Sequence, residues 1–485
     1  MRRLNWQKIA GAKGHSSTAA TAFAALAMQQ VATFVLILLA ASYLPPAEYG
    51  LYTISLVFAT FIQTLTYSGV FHFIVTEKGD DSAILDTTFW LIIGISVTGS
   101  AILALAAPYI GRAFDAAELP SVIRFLALTQ PVSAGVAWIS AVLMRQKRMH
   151  AHYTIMMIQN VSSLFIGVAL LILWQSVYAL VAFRFAKSIV GGVIYFGYTR
   201  ILPRFSFDRN VARKATSYAG GIYGSRFLNF FANYGADLIL GLVYTTAEAG
   251  LYRFGSRLAT AAMDIAMHPL RNFALAQFGA ANRNNEGFTP LAAKFVSTAM
   301  FLMGGVAIAI YVFGEQMVEL MFREEYLGAL VVTYALATRA VLGIGDQFAE
   351  PILAAKGKTG VIMAHHGFWA FVQIVLLATT AAMGMNILAW AQAAVAGATS
   401  VMAFYLVHRF AAISLGPVIR SAVRTALLLL GIGLVILLIQ GIVSSQVGNF
   451  YISLAISFGI SLAIGLAGLI LALRLRIVNL SVFAN

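Results

Sequence analysis

Arginine is the residue type that most needs explaining in this sequence. The stretch over 249–279 has the length of a membrane-crossing helix, yet it holds Arg253, Arg257, Thr260, Asp264, His268 and Arg271. At 100° per residue these side chains fall within an arc of roughly 80°, a polar stripe along most of the helix. An ionisable group at mid-membrane costs about 2.5–3.5 kcal/mol on the insertion scale, so such a stripe faces either water or other polar helices. If Arg253 and Arg271 snorkel to opposite interfaces, Arg257 and Asp264 merely tie neighbouring helices together. A helix lining a wet, cationic path accounts for the whole stripe at once.

Three other stretches carry similar chemistry. Over 215–243, Arg226, Asn229, Asn233 and Asp237 share one face, and Gly220, Gly221 and Gly224 weaken the helix near its start. Over 328–355, Arg339, Asp346 and Glu350 share a face just before Pro351. An unpaired charge at that depth is costly, so one of these two acids is expected to hold Arg339. Over 177–198, Arg184 and Lys187 stand three apart with no acid in the same stretch. They either bind an anion or pair with Asp237 or Asp264. Taken together these stretches hold more cations than carboxylates. Surplus positive charge repels organic cations and suits phosphate, whose oxygens match the arginine fork. The substrate-binding candidates are therefore Arg184, Lys187, Arg226, Arg253, Arg257, Arg271 and Arg339. Asn229, Asn233, Asp237, Asp264, His268, Asp346 and Glu350 are candidates for polar contact or ion coupling, although pairing with arginine also suits the acids.

Several features resemble other chemistry and do not support it. Gly357, Lys358 and Thr359 end like a phosphate-binding loop, but Ile352 stands where its first glycine belongs. His365 and His366 are adjacent, hence not on one helix face, and no carboxylate at ligand spacing accompanies them. His72 reads as a helix-contact residue. With no cysteine there is no disulfide or thiolate metal site. No cofactor is called for. Without a nucleotide motif, any transport must draw on an H+ or Na+ gradient, the membrane potential, or consumption of product.

The elements that position these residues follow from composition. The chain of 485 residues is 60% hydrophobic and only 10% charged, against about 25% charged in soluble domains. A span needs ~20 mostly apolar residues, and about fourteen such stretches can be traced, from 19–43 to 449–473. The fold class is an all-α polytopic membrane protein. A net charge of +14 would suggest nucleic acid on a soluble chain; here it reflects basic loops on the cytoplasmic side, with no nucleic-acid partner. The first apolar run exceeds the ~7–15 residues of a signal-peptide core and follows Arg2, Arg3, Lys8 and Lys13, as a cytoplasmic tail would. Lys and Arg then gather in alternate loops, at 145–148, 200–214, 356–358 and 409–424, so both termini are expected in the cytoplasm. One loop on that side, 77–86, is mainly acidic.

The chain also repeats itself. Ala47-Glu-Tyr-Gly-Leu-Tyr52, after the first span, matches Ala247-Glu-Ala-Gly-Leu-Tyr252, after the seventh. Basic turns follow the fourth and tenth spans. Two parallel lobes of six spans result, 1–210 and 211–410, with two further spans over 411–485. Transporters are commonly built from such repeats.

At these two copies the sequence resembles a known family. Leu44-Pro-Pro-Ala-Glu-Tyr-Gly-Leu-Tyr52 is similar to the polysaccharide transporters, the O-antigen and exopolysaccharide flippases. So is Gly235-Ala-Asp-Leu-Ile-Leu-Gly241 running into the second copy. These flippases belong to the multidrug/oligosaccharidyl-lipid/polysaccharide exporter superfamily. The resemblance implies two six-helix lobes that open alternately to either side of a bacterial inner membrane. It also implies translocation of an undecaprenyl-diphosphate-linked glycan through a cationic cavity, alongside a polymerase and export machinery. By motif it carries over Asp237 alone. A drug or metabolite exporter of the same superfamily is the second expectation. A membrane glycan polymerase or ligase is the third, and the short outside loops give it no room for an acceptor.

Overall fold

The structure, a computed structural model, describes residues 6–478 except Gly79, Gly448 and Arg476. Within the helices, the side chains of residues 6–20 and of scattered positions, including Asn229, Asn233 and His268, lie outside the description. Arg2, Arg3, Lys8, Lys13 and Arg476 of the basic tails fall there as well.

The described chain is built of α-helices in the order α1 (Trp6–Tyr43), α2 (Pro46–Thr76), α3 (Asp81–Ala113), α4 (Leu119–Arg145), α5 (Met149–Trp174), α6 (Val177–Thr199), α7 (Arg209–Val243) and α8 (Thr246–Arg283). There follow α9 (Thr289–Met321), α10 (Leu330–Leu342), α11 (Ile344–Ala355), α12 (Thr359–Thr380), α13 (Met385–Ala411), α14 (Leu415–Gln446) and α15 (Phe450–Arg474). Among the described residues twelve segments are long and apolar enough to cross a membrane, α10 and α11 counting as one. The fourteen expected stretches fall on helices; of α7 and α8, which hold undescribed positions, only Tyr234–Val243 counts as an apolar helix among the described residues. At 35 and 38 residues both helices are long enough; what lowers their hydropathy is the charge they carry, including Arg226, Asp237, Arg253, Arg257, Asp264 and Arg271.

Local chemistry sets the helix ends. Asp80, Ser176, Asp208 and Asn449 each accept a backbone N–H in the first turn of the helix they precede. The Ser82 side chain and backbone both donate to Asp80 and hold its carboxyl below the usual carboxylate range. The two basic turns close alike: Arg148 N–H reaches Leu143 O and Lys358 N–H reaches Leu353 O, both at 2.9 Å. The residue in between is left-handed in each, Lys147 at φ 58° and Gly357 at φ 69°. This is the Schellman closure of a helix, used twice at matching points of the repeat.

Two compact units divide the chain, Met1–Arg253 and Phe254–Asn485. In the first, α2 packs on α4 and α7, α3 on α4, α1 on α5, and α6 on α4 and α5. Its core gathers Val70, Ile74, Ile92, Trp138 and Tyr195, with the Trp138 indole donating to Leu85 O at 3.1 Å. In the second, α9 packs on α10 and α14, α13 on α10, α11 and α12, and α14 on α15. Aromatic rings of Phe278, Phe288, Phe295 and Phe348 run through its interior.

The acidic loop at 77–86 is neutralised within its own unit. Arg145 bonds Asp81 at 2.6 Å and donates to Ile74 O and Glu77 O. Lys214 lies 3.9 Å from Glu77, and Asp86 accepts Arg204 N–H at 2.9 Å. Glu77 and Asp81, out of place by loop charge, are counter-ions of the basic loops beside them.

The two copies of the repeated motif touch. A Cβ at Gly50 would land on the carbonyl oxygen of Thr246, and a Cβ at Gly250 on that of Pro46. Backbone meets backbone where α2 and α8 begin, and only glycine permits it. Overpacking typically costs about 1–3 kcal/mol, so Gly50→Ala and Gly250→Ala should each lower the melting temperature of the purified protein. Gly220→Ala, whose Cβ would meet nothing within 4 Å, is the control. Equal melting of all three variants would remove the close contact as a constraint.

Candidate functional site

In the first unit Asp237 and Arg253 form a buried pair, buried Asp86 accepts a backbone N–H, and two half-buried cations have no carboxylate partner among the described residues. Asp237 on α7 is fully buried, and Arg253 on α8 is 8% exposed. Arg253 Nη1 donates to Asp237 Oδ2 at 3.1 Å, and its guanidinium lies 5.0 Å from the centre of the Tyr234 ring. Thus Arg253 does not snorkel to an interface. It is the most deeply held of the candidate cations whose side chains are described.

On α6, Arg184 and Lys187 are half-buried. Arg184 Nε donates to the Tyr52 hydroxyl at 2.9 Å, which orients the guanidinium and leaves its two terminal nitrogens free for a ligand. Gln159 of α5 donates to the backbone carbonyl of Lys187 at 2.9 Å, and Ser188 and Ser133 share a hydrogen bond of 2.6 Å. Helix α6 is therefore pinned on both sides of the cations. Neither cation pairs with a carboxylate among the described residues; the ion pairs of this unit are Arg145–Asp81, Lys214–Glu77 and Arg253–Asp237. Arg226 on α7 is exposed. Chemically, the α6 pair is a fork and a point charge, three residues apart, ready to accept a polyanion.

The second unit holds Arg271 and Asp346 in ion pairs, while Arg339 has a neutral partner. Arg271 on α8 meets Glu350 on α11 at 3.2 Å, both partly exposed. Arg257 and Asp264 on α8 are half-buried, and neither is without a partner. The expectation that Asp346 or Glu350 holds Arg339 is corrected. Arg339 Nη1 donates instead to the neutral amide of Gln392 on α13, at 3.0 Å. The helix is interrupted at Gly343, between Leu342 and Ile344, and beyond that interruption Glu350 pairs with Arg271 and Asp346 with His365. The Ser400 hydroxyl donates to the freed Leu342 carbonyl at 2.5 Å and accepts Asp346 N–H at 3.4 Å. With Glu350 taken by Arg271, Asp346 pairs with His365 on α12, Nε2 to Oδ1 at 2.7 Å. The side chains of Asn229, Asn233 and His268 lie outside the description.

Tyr52, Gln392 and His365 are the partners that the sequence did not reveal. Tyr52 closes the repeated motif and Gln392 is polar within a span, so each carried a faint signal. His365 carried a stronger one, standing four residues before Trp369 and eight before Gln373 on one face. Among the described residues no group of three or more metal-ligating side chains occurs.

Comparison with known proteins follows the same lines. The model of the polysaccharide biosynthesis protein family matches residues 39–331, more than half the chain. A succinoglycan biosynthesis transport protein, ExoT of Rhizobium meliloti (strain 1021), is 20% identical over 351 residues, 72% of this chain and 70% of that one. Among solved structures, the lipid II flippase MurJ in an inward closed conformation superposes with a TM-score of 0.70 at 13% identity, covering 93% of this chain and 98% of that chain. An inward-facing multidrug resistance MATE family transporter of the MOP superfamily gives 0.62 at 13% identity, covering 81% and 98%. At such identities the likeness of the structures is one of fold.

Proposed function

This chain belongs to the polysaccharide biosynthesis protein family, and we propose that it flips a polyprenyl-diphosphate-linked oligosaccharide from the cytoplasmic to the periplasmic leaflet of a bacterial inner membrane. It is a multi-pass membrane protein with the fold of an exporter. The α6 cations support the choice of substrate. In a unit whose buried acids are taken, Asp237 by Arg253 and Asp86 by the Arg204 N–H, Arg184 and Lys187 lack a carboxylate partner among the described residues, and a diphosphate supplies a counter-charge. Arg226, exposed on α7, is a third contact for it. The glycan passes along polar helix faces, and the lipid tail stays in the bilayer. Lobes 1–210 and 211–410 open alternately, with 411–485 as two added helices and both termini in the cytoplasm. Pairing of the acidic 77–86 loop with Arg145 and Lys214 supports that orientation, since it groups these acids with the basic loops. Arg253, buried and paired, has a structural role.

A cationic-drug exporter would need the opposite charge balance on α6. The two readings separate in proteoliposomes containing the purified protein and a synthetic, fluorescent undecaprenyl-diphosphate oligosaccharide. Flipping makes the inner-leaflet probe accessible to an external quencher. The expected result is time-dependent loss of the protected fraction, with no efflux of a cationic dye. Dye efflux together with an unchanged protected fraction would replace this function with the drug-exporter one.

A further inference from the structure

The second unit contains a buried acid–imidazole pair that substrate gripping does not use. His365 is 3% exposed and gives Nε2 to Asp346 Oδ1 at 2.7 Å, while the Asp346 side chain keeps 29% of its surface accessible. Its other ring nitrogen, Nδ1, is buried without a hydrogen-bond partner among the described residues. So are Trp369 Nε1 and Gln373 Nε2. These three residues are spaced four apart on α12, so their polar atoms line one face over about 12 Å. Leaving a buried polar atom unpaired costs about 1–3 kcal/mol. Three in a row on one face of a helix are a place for water, or for a mobile proton, between helices. The pair also sits at the α10–α11 break, where Gly343 separates the helices and Ser400 caps the freed carbonyl. Broken helices of this kind carry coupling-ion sites in transporters.

We propose that Asp346 and His365 form a proton-binding site, with the face of Trp369 and Gln373 as its wet path, and that the ion coupled to transport is H+. The inference deepens the exporter function and rests on it for the coupling alone. A proton arriving along the wet face binds Nδ1 and charges the imidazole, while Nε2–H stays on the Asp346 carboxylate, which balances the charge. His365 then donates from both nitrogens, and Nδ1–H needs an acceptor along α12 that the unprotonated ring does not. Release toward that face returns the neutral ring, so protons balance and no other reactant enters. The surroundings admit this. From α8, Arg271 is neutralised by Glu350 of α11. From α10, Arg339 is held away by Gln392 of α13, and α13 presents Ser400. On α12, His366 lies 5.7 Å from His365 between ring centres. Helix α9 meets α11 through Phe295 on Phe348, with its Lys294 exposed. A sodium ion would not choose an imidazole ligand over oxygen.

Protonation can be read without any glycan. The rings of His365 and Trp369 lie 6.5 Å apart, and an imidazolium quenches a neighbouring indole. Tryptophan emission of the purified full-length protein should fall as pH is lowered from about 8 to 5, the range in which histidine changes charge. The Trp369 component of that transition should vanish in both His365→Gln and Trp369→Phe, with monodisperse gel filtration showing that the variants are folded. In proteoliposomes, a pH difference of one unit should change the distribution of the probe about tenfold per coupled proton, and His365→Gln should be indifferent to it. A flat wild-type emission, or a transition unchanged in His365→Gln, would overturn the proton site. If the emission behaves as expected while no probe moves, the site stands and the proposed function fails.

Discussion

Asp237→Ala should remove most of the folded protein from the membrane. The substitution leaves the Arg253 guanidinium buried beside Tyr234 with its principal counter-charge gone. Breaking a buried pair from one side costs about 3–5 kcal/mol, a large share of the stability of an ordinary protein. Arg253→Met should also be harmful, since it takes the guanidinium partner from a carboxylate that is 1% exposed at its side chain. The double variant Asp237→Leu, Arg253→Met exchanges the pair for packed apolar side chains and should recover most of the loss. Thermal unfolding of the four proteins in detergent completes the cycle. Additive losses would show that the two charges do not depend on each other. A wild-type melting temperature for Asp237→Ala would sink the pairing outright.

Substituting both cations of α6 should have the opposite profile, with export lost and the fold kept. Neither Arg184 nor Lys187 neutralises a described carboxylate, so Ala at both leaves no buried acid stranded. If each makes a charge-assisted bond to diphosphate worth about 1.5–3 kcal/mol, each removal weakens flipping roughly ten- to hundredfold. The pair together should bring it to background. Arg184→Lys keeps the charge but loses the planar fork, and should restore only part of the activity. Tyr52→Phe removes the hydroxyl that holds Nε and should show a smaller loss, because it acts through the orientation of Arg184. Flipping at the wild-type rate by the double Ala variant, at equal protein level, would place the diphosphate elsewhere.

The elements were legible because lipid imposes a strong rule on sequence. A stretch of ~20 apolar residues has few folded options, and the repeat gave the order of the helices a second, independent check. Helices α7 and α8 show where that rule weakens. The stripe that makes them interesting is the same charge that lowers their hydropathy. The break at Gly343 was hidden, since one glycine within an apolar run does not announce an interruption. From that followed the error over Arg339, whose face was drawn on a continuous helix. Pairing across helices was the least legible layer. The contacts of Arg253 with Asp237, Arg271 with Glu350 and Asp346 with His365 all join different helices, and periodicity along one helix carries no information about its neighbour. Metal-ligand spacing says nothing of His365, whose register with Trp369 and Gln373 along α12 is the signal that the sequence carries.

At Gly50 and Gly250 each residue meets its own counterpart, with Pro46 and Thr246 exchanging places across the contact. Self-matching of this kind is the mark of an isologous dimer interface, here enclosed in a single polypeptide. In a dimer of identical subunits every substitution at such a seam is made twice, so a methyl added at the axis must find room on both sides. Here the two copies of the motif differ, with Tyr49 in one where Ala249 stands in the other. Glu48, meanwhile, is committed to the head of α6 through the backbone N–H of Val177, 3.1 Å away. The glycines have no such liberty: whichever half acquires a side chain first forces both backbones apart. The contact at Gly50 and Gly250 thus ties the two copies of the motif to one local geometry.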